Sequence, residues 1–349
     1  MRVLHVMAGA EEGGAENIML ESVLALAAAG HDQHVVTRPE NTFRIEQFTS
    51  AAITVDTASF NRGWPFPTRK VIEKAISAFK PDVIEYWMGR AGQFAPAAHR
   101  ARSIGWYGGY YKLARFRNCD WHVGLTIDLI RHIREQGVAE DRSAIIHTYA
   151  DFQGVAPADR AELTTPAKVP VALSLARLHP KKGLDTLLEA AVKLPDLHLW
   201  IAGEGPLEAE LKAQAKRLGI DHRVRFLGWR NDRGALLAAC DVVAFPSRYE
   251  PFGTVIVDAW AASRPLVAAD AIGPAAYVKD GVNGLLVRKN DVDALAAALG
   301  RVIYDRKLAE KLVAGGCVSY EAQFTRAAFI RDSEAFYERV RAYAGPFED

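Results

Sequence analysis

One stretch narrows the folds open to this chain more than any other: Asp241 to Asp270, which reads DVVAFPSRYEPFGTVIVDAWAASRPLVAAD. Asp241 to Pro246 is a short apolar run closed by a proline, Ser247 to Phe252 carries turn chemistry, and Thr254 to Ala262 has helical spacing. The order is therefore strand, loop, helix, strand. If the first strand is central and parallel, its loop lies where open α/β sheets bind ligands, and the following helix turns free backbone N–H groups toward that place. An anion is the natural guest. Glu250 and Asp258 bracket Gly253, and their spacing brings both acids to one side of the helix start, where they can face one polar ligand. Taken alone, such a pair reads more simply as dipole compensation plus a solvated helix residue.

The remaining sequence limits the classes of function. A chain of 349 residues is long for one core and suits two domains. A net charge of +1 excludes a wholesale polyanion binder, and no nucleic-acid module is recognisable. Cys119, Cys240 and Cys317 are widely spaced with no CxxC or zinc pattern, which predicts free thiols in a reducing compartment. Met1 to Ala8 is too short for a signal h-region and no apolar stretch approaches a membrane span, so a cytoplasmic protein is expected.

Along the chain, Arg2 to Met7 reads as a first strand, followed by a glycine-rich turn, Ala8 to Gly14, into a helix. Gly13 and Gly14 permit close backbone approach to a ligand, or are plain turn geometry. The turn reads GAEEGG and the next strand ends at Arg38, so the dinucleotide fingerprint is missing. From Arg90 to Arg117 no acid occurs, and basic residues alternate with Phe94, Trp106, Tyr107, Tyr110, Tyr111 and Phe116. That mixture suits an anionic membrane surface or a phosphorylated acceptor, or else a basic face whose aromatics are core. Asp151 to Ala167, rich in Pro, Ala, Asp and Thr, reads as a linker. Beyond it, Arg177-Leu178-His179-Pro180-Lys181-Lys182-Gly183 follows a strand. A guanidinium fork and a nearby ammonium could neutralise a pyrophosphate from two directions. Asp291-Val-Asp293 resembles a metal-binding DxD but precedes a helix, so capping is the reading.

The spacing Glu250-Pro-Phe-Gly-Thr-Val-Ile-Val-Asp258, with Arg177 and Lys182 upstream, resembles the retaining glycosyltransferases of group 4. Their second acid is usually Glu. EYWMGRAG and GGYYKLARFRNCD are also similar to segments of lipopolysaccharide-core glycosyltransferases. The resemblance implies a GT-B fold, two Rossmann-like doubly wound parallel-sheet domains facing across a cleft. The domains would be residues 1–165 and 166–325, with a helix at about 326–345 packing back on the first. It implies transfer of a sugar, with retention, from GDP-mannose or a UDP-sugar to a glycan or glycolipid acceptor of the cell envelope, on the inner face of the plasma membrane. Arg177, Lys182 and Glu250 would be catalytic. Donor contacts would come from Gly13, Gly14, Gly205, Arg230, Phe252, Gly253, Thr254 and Asp258. Trp87, roughly where many members carry a histidine, would stand on the acceptor side with Arg90, Tyr110 and Lys112. No cofactor or metal is expected. A nucleotide-sugar epimerase and a non-catalytic nucleotide-sugar binding protein are the alternatives.

Overall fold

The structure, a computed structural model, describes residues 1–9, 13–97 and 101–343. Ala10, Glu11 and Glu12 of the glycine-rich turn, Arg100 of the basic stretch and the end of the expected last helix lie outside the described residues.

The chain runs β1 (Arg2–Met7), α1 (Gly14–Ala28), β2 (Asp32–Thr37), α2 (Thr42–Ser50), β3 (Thr54–Thr57), α3 (Phe66–Phe79), β4 (Val83–Trp87), α4 (Met88–Gly92), β5 (Arg102–Tyr107), β6 (Trp121–Gly124), α5 (Ile127–Arg134) and β7 (Ser143–Ile145). It continues β8 (Val171–Leu175), α6 (Leu184–Val192), β9 (His198–Ala202), α7 (Glu208–Arg217), β10 (Val224–Phe226), α8 (Arg233–Ala239), β11 (Val242–Phe245), α9 (Thr254–Ala261), β12 (Leu266–Ala269), α10 (Ile272–Tyr277), β13 (Leu285–Val287), α11 (Val292–Tyr304), α12 (Arg306–Gln323) and α13 (Arg326–Ala342). Two sheets result, a seven-stranded one ordered β3-β2-β1-β4-β5-β6-β7 and a six-stranded one ordered β10-β9-β8-β11-β12-β13. Their ladders are parallel.

The alternation of strand and helix dictates this result. A parallel pair needs a crossover, and crossover helices cover both faces, so central strands must be apolar on both sides. β4 and β11 meet that requirement with every residue buried. Leu187, Leu199, Ile201, Val242 and Leu299 are closed to solvent in one core, and Leu4, Val6, Ile84 and Phe116 in the other. Burying each such side chain contributes about 1.5–3 kcal/mol.

The residues divide into two compact units, Met1–Tyr149 with Arg326–Asp349, and Ala150–Thr325. Residues 151–165, expected in the first domain and as a linker, belong to the second unit. Arg160 donates to Ala239 O at 2.7 Å and to Asp241 Oδ2 at 2.8 Å, and Trp200 Nε1 donates to Thr165 Oγ1 at 2.9 Å. The composition that looked like a flexible tether is a turn-rich segment tied to β11 and β9.

In each sheet the order reverses direction once. The switch falls between β1 and β4 in the first and between β8 and β11 in the second. Loops leaving the carboxyl ends of the two strands at a switch part in opposite directions and leave a crevice for ligand.

Candidate functional site

In the second unit, the polar groups singled out by sequence leave the sheet at its switch point. β8 ends at Leu175 and the chain exits through Ala176 to Gly183. Gly205 makes room for that exit, since a Cβ there would stand 2.4 Å from Leu178 O. Leu178 N donates to Glu204 O at 2.8 Å and Leu207 N donates to Leu178 O at 3.1 Å. Gly205, expected as a donor contact, thus serves to seat the loop that carries Arg177. The Arg177 side chain is exposed and makes no hydrogen bond or ion pair among the described residues.

The tight turn Pro180–Lys182 closes on Gly183, whose φ of 65° suits glycine and whose Cβ would lie 2.2 Å from Pro246 O. A side chain at that position would push the loop after β8 off the loop after β11. Arg248 N and Tyr249 N both donate to Lys181 O, at 2.8 and 3.2 Å. The Arg248 guanidinium then donates to Pro180 O at 2.7 Å, Asp185 Oδ2 at 2.6 Å, Thr186 Oγ1 at 3.0 Å and the Asn290 side chain. Sequence reasoning passed over Arg248, because its partners come from three separate segments and no motif joins them. The two loops so knitted place Lys182 Nζ on Glu250 Oε2 as a part-buried ion pair.

Glu250 is also fixed from behind, its carbonyl accepting from Gly273 N at 2.8 Å. Phe252 was expected to touch the donor. Its ring instead turns inward, 4% exposed, edge-on to Tyr277 at 5.5 Å, because an apolar ring is the anchor that holds a polar loop to the core. Gly253 caps α9, and no side chain satisfies the first N–H groups of that helix. Those groups carry roughly half a positive charge at the loop's end. Lys182 therefore pairs with the carboxylate that stands just ahead of the N-terminus of α9, and Arg177 is exposed on the same loop as Lys182.

Asp258 lies on α9 and is neither solvated nor free. It is 6% exposed and faces Arg233 Nε at 3.5 Å. Burial raises its pKa and Arg233 works against that rise. Arg230 forks onto Asp232 with contacts of 2.7 and 2.5 Å, which holds the Asp232 carboxyl below the usual carboxylate range. The loop that leads into Arg230 is tied to the Gly205 turn by Gly203 N, which donates to Gly228 O at 2.7 Å. The DxD reading resolves as capping: Asp291 Oδ1 accepts from Ala294 N at 2.9 Å, and Asp293 pairs with Lys193 at 2.6 Å.

In the first unit several expected roles change. Trp87 is 1% exposed, stacked on Trp106 at 4.3 Å and donating to His5 Nδ1 at 3.2 Å, so it is core and closed to an acceptor. Phe94, Trp106, Tyr107 and Phe116 are buried as well, and residues 102–107 form β5. The basic and aromatic stretch is thus chiefly core and strand rather than a membrane-facing surface. Tyr110 donates to Asp128, Lys112 is exposed, and Arg90 donates to Phe60 O at 3.1 Å. Gly13 caps α1 and Gly14 is exposed at its first position.

Two doubly wound parallel sheets in one chain are the architecture of the GT-B class of sugar transferases. The glycosyl transferases group 1 family model matches residues 155–316. The lipopolysaccharide core biosynthesis glycosyltransferase LpsE of Rhizobium meliloti (strain 1021) is 34% identical, with 94% of this chain and 96% of that one covered. LpsD of the same strain, also a lipopolysaccharide core biosynthesis glycosyltransferase, is 31% identical over 94% of this chain and 95% of its own. Among solved structures, Anabaena Alr3699/HepE in complex with UDP and glucose superposes with a TM-score of 0.83 at 22% identity, covering 97% of this chain and 99% of that one. The chain belongs to the group 1 glycosyltransferases.

Proposed function

We propose that this protein is a retaining glycosyltransferase of lipopolysaccharide core assembly, moving a sugar from a nucleoside-diphosphate sugar to a hydroxyl of a glycan or glycolipid acceptor. The observation that carries the reading is the Lys182–Glu250 pair beside the open N-terminus of α9. The named activities of LpsE and LpsD support the pathway, and the UDP and glucose bound to Alr3699/HepE support the donor class.

Cleavage of the glycosidic bond leaves negative charge on the diphosphate and positive charge on the sugar ring. Arg177, Lys182 and the N–H groups of Gly253 and Thr254 stabilise the first, and preorganised donors of this kind are each worth about two to three orders of magnitude in rate. Glu250 holds the hydroxyls of the transferring sugar. The acceptor attacks the face from which the diphosphate departs, and the leaving phosphate takes its proton. Since the groups that meet the diphosphate's charge are side-chain cations and helix N–H donors, the reaction proceeds without a metal.

Purified protein offered a panel of UDP- and GDP-sugars with core-oligosaccharide acceptors should release nucleoside diphosphate only when acceptor is present. Nucleotide binding with no acceptor-dependent release from any donor would leave a binding protein instead. Asp258 holds the donor ribose in this reading, so Asp258→Ala should weaken donor binding about tenfold or more, the worth of a charged hydrogen bond. Calorimetric titration showing unchanged donor affinity would confine Asp258 to positioning Arg233.

A further inference from the structure

We infer that Arg38, Arg62 and Arg90 form an anion site in the first unit that takes a phosphomonoester carried by the sugar acceptor. The assignment rests on the glycosyltransferase reading for the word acceptor; the anion site itself rests on geometry. Arg38 directly follows β2, Arg62 lies beyond β3, and Arg90 is on α4 directly after β4, so all three leave the carboxyl ends of strands in one parallel sheet. Its switch point lies between β1 and β4, the place where such sheets take ligands. The strand order sets β3 and β4 two strands apart, yet Arg90 Nη2 reaches Phe60 O at 3.1 Å. The loop after β3 must therefore fold back over the edge of β2 and β1, carrying Arg62 with it. Phe60 and Phe94 lock this arrangement with an edge-on contact at 5.4 Å.

Two further features mark the cluster as built. None of the three guanidiniums has an acidic partner among the described residues, and Glu40, two residues from Arg38, makes no ion pair either. The Nε atoms of Arg38 and Arg90 are shut off from solvent with no hydrogen-bond acceptor. Like charges gathered with unmet donors cost stability unless a ligand meets them. Burial first, then Arg38 and Arg62, hold Arg90 below its ordinary pKa, so Arg90 lies within reach of the other two charges. The backbone is strained at the turns that present two of them: Phe60 has φ 51° and Met88 has φ 66°. Non-glycine residues in that region cost about 1–3 kcal/mol and gather at ligand sites. A phosphomonoester brings about −1.5 to −2 charges and three acceptor oxygens, matching planar guanidinium forks. Trp64 and Phe66, both 64% exposed and next to Arg62, offer apolar faces of the kind that cover sugar rings or acyl chains.

The test is titration of inorganic phosphate, then glucose 6-phosphate, into the full chain at low ionic strength with its donor site saturated by UDP or GDP. Both probes should bind, and Arg62→Gln, which breaks no hydrogen bond, should weaken them at least tenfold. Arg38→Gln should do the same while nucleotide affinity stays unchanged. A parallel arm uses phosphatidylcholine vesicles with and without phosphatidic acid. Sedimentation with the acidic vesicles alone, lost in Arg62→Gln, would locate the phosphate on a lipid, and binding of the soluble probes alone would locate it on a free saccharide. Nucleotide failing to bind while phosphate binding is still lost in Arg62→Gln would defeat the donor reading and leave the anion site standing. Phosphate that does not bind the nucleotide-loaded protein, or binds Arg62→Gln and Arg38→Gln as well as the unaltered chain, overturns the inference.

Discussion

Lys182→Ala should lower turnover by about two to three orders of magnitude while leaving unfolding free energy within about 1 kcal/mol of the parent. The two effects separate because of where the ammonium sits. It pairs with Glu250 on loops, outside either core, so its removal creates no apolar cavity. Its loop is held by Gly183, by the Lys181 carbonyl and by Arg248, none of which needs the Lys182 side chain. In the proposed reaction, however, the charge is most useful when the diphosphate departs, so kcat and kcat/KM should fall together. Lys182→Arg should recover part of the loss, since it restores charge but in a planar fork rather than a compact point. Before donor arrives, Glu250 neutralises Lys182; a bound diphosphate competes for that ammonium and frees the carboxylate for sugar hydroxyls. Lys182→Ala and Glu250→Gln should therefore be non-additive in a double-mutant cycle. Near-normal turnover in Lys182→Ala would remove the clamp from the reaction.

The Lys182–Glu250 pairing was legible through spacing shared with a family, since basic residues or acids in loops read by themselves as solvent-exposed. The parallel order of β8 and β11 brings the two loops together. Other parts were hidden by physics that sequence does not display. Arg102, Ser103 and Gly105 spoil the apolar run of β5, yet Arg102 is accommodated by a carbonyl and the ring of Tyr343, and Gly105 leaves the space that Phe116 fills. Trp87 ends its strand in the position of a ligand-facing aromatic, and only the register that sets it beside Trp106 reveals a core stack. Phe252 sits within the polar loop but is its anchor. The Arg38, Arg62 and Arg90 grouping is spread over three crossovers, so it emerges from strand order and a single long reach to Phe60.

Glu85→Ala should cost about 3–5 kcal/mol of unfolding free energy, the penalty for breaking a buried charged network. β1 and β4 read as apolar runs each interrupted once, by His5 and by Glu85, and the parallel register sets those two residues side by side. Both are 0% exposed. His5 Nδ1 lies 3.1 Å from Glu85 Oε2, and His5 Nε2 is hydrogen-bonded to Gln33 Oε1 on β2 at 2.5 Å. Tyr337 of α13 donates to the other Glu85 oxygen at 2.7 Å, and burial followed by the adjacent carboxylate pushes its phenol pKa well up. One side chain thus joins the two central strands of the first sheet to the last helix of the chain. Removing it strands the Tyr337 hydroxyl in an apolar interior and leaves a void, while His5 keeps its bonds to Gln33 and Trp87. Glu85→Gln should cost much less, because the amide oxygen still accepts from Tyr337 and the side chain still fills its space. Urea unfolding of the two variants measures the difference directly. Equal losses for Ala and Gln would show that the carboxylate's charge dominates, and a loss below about 1 kcal/mol for Ala would show that α13 is held by apolar packing alone.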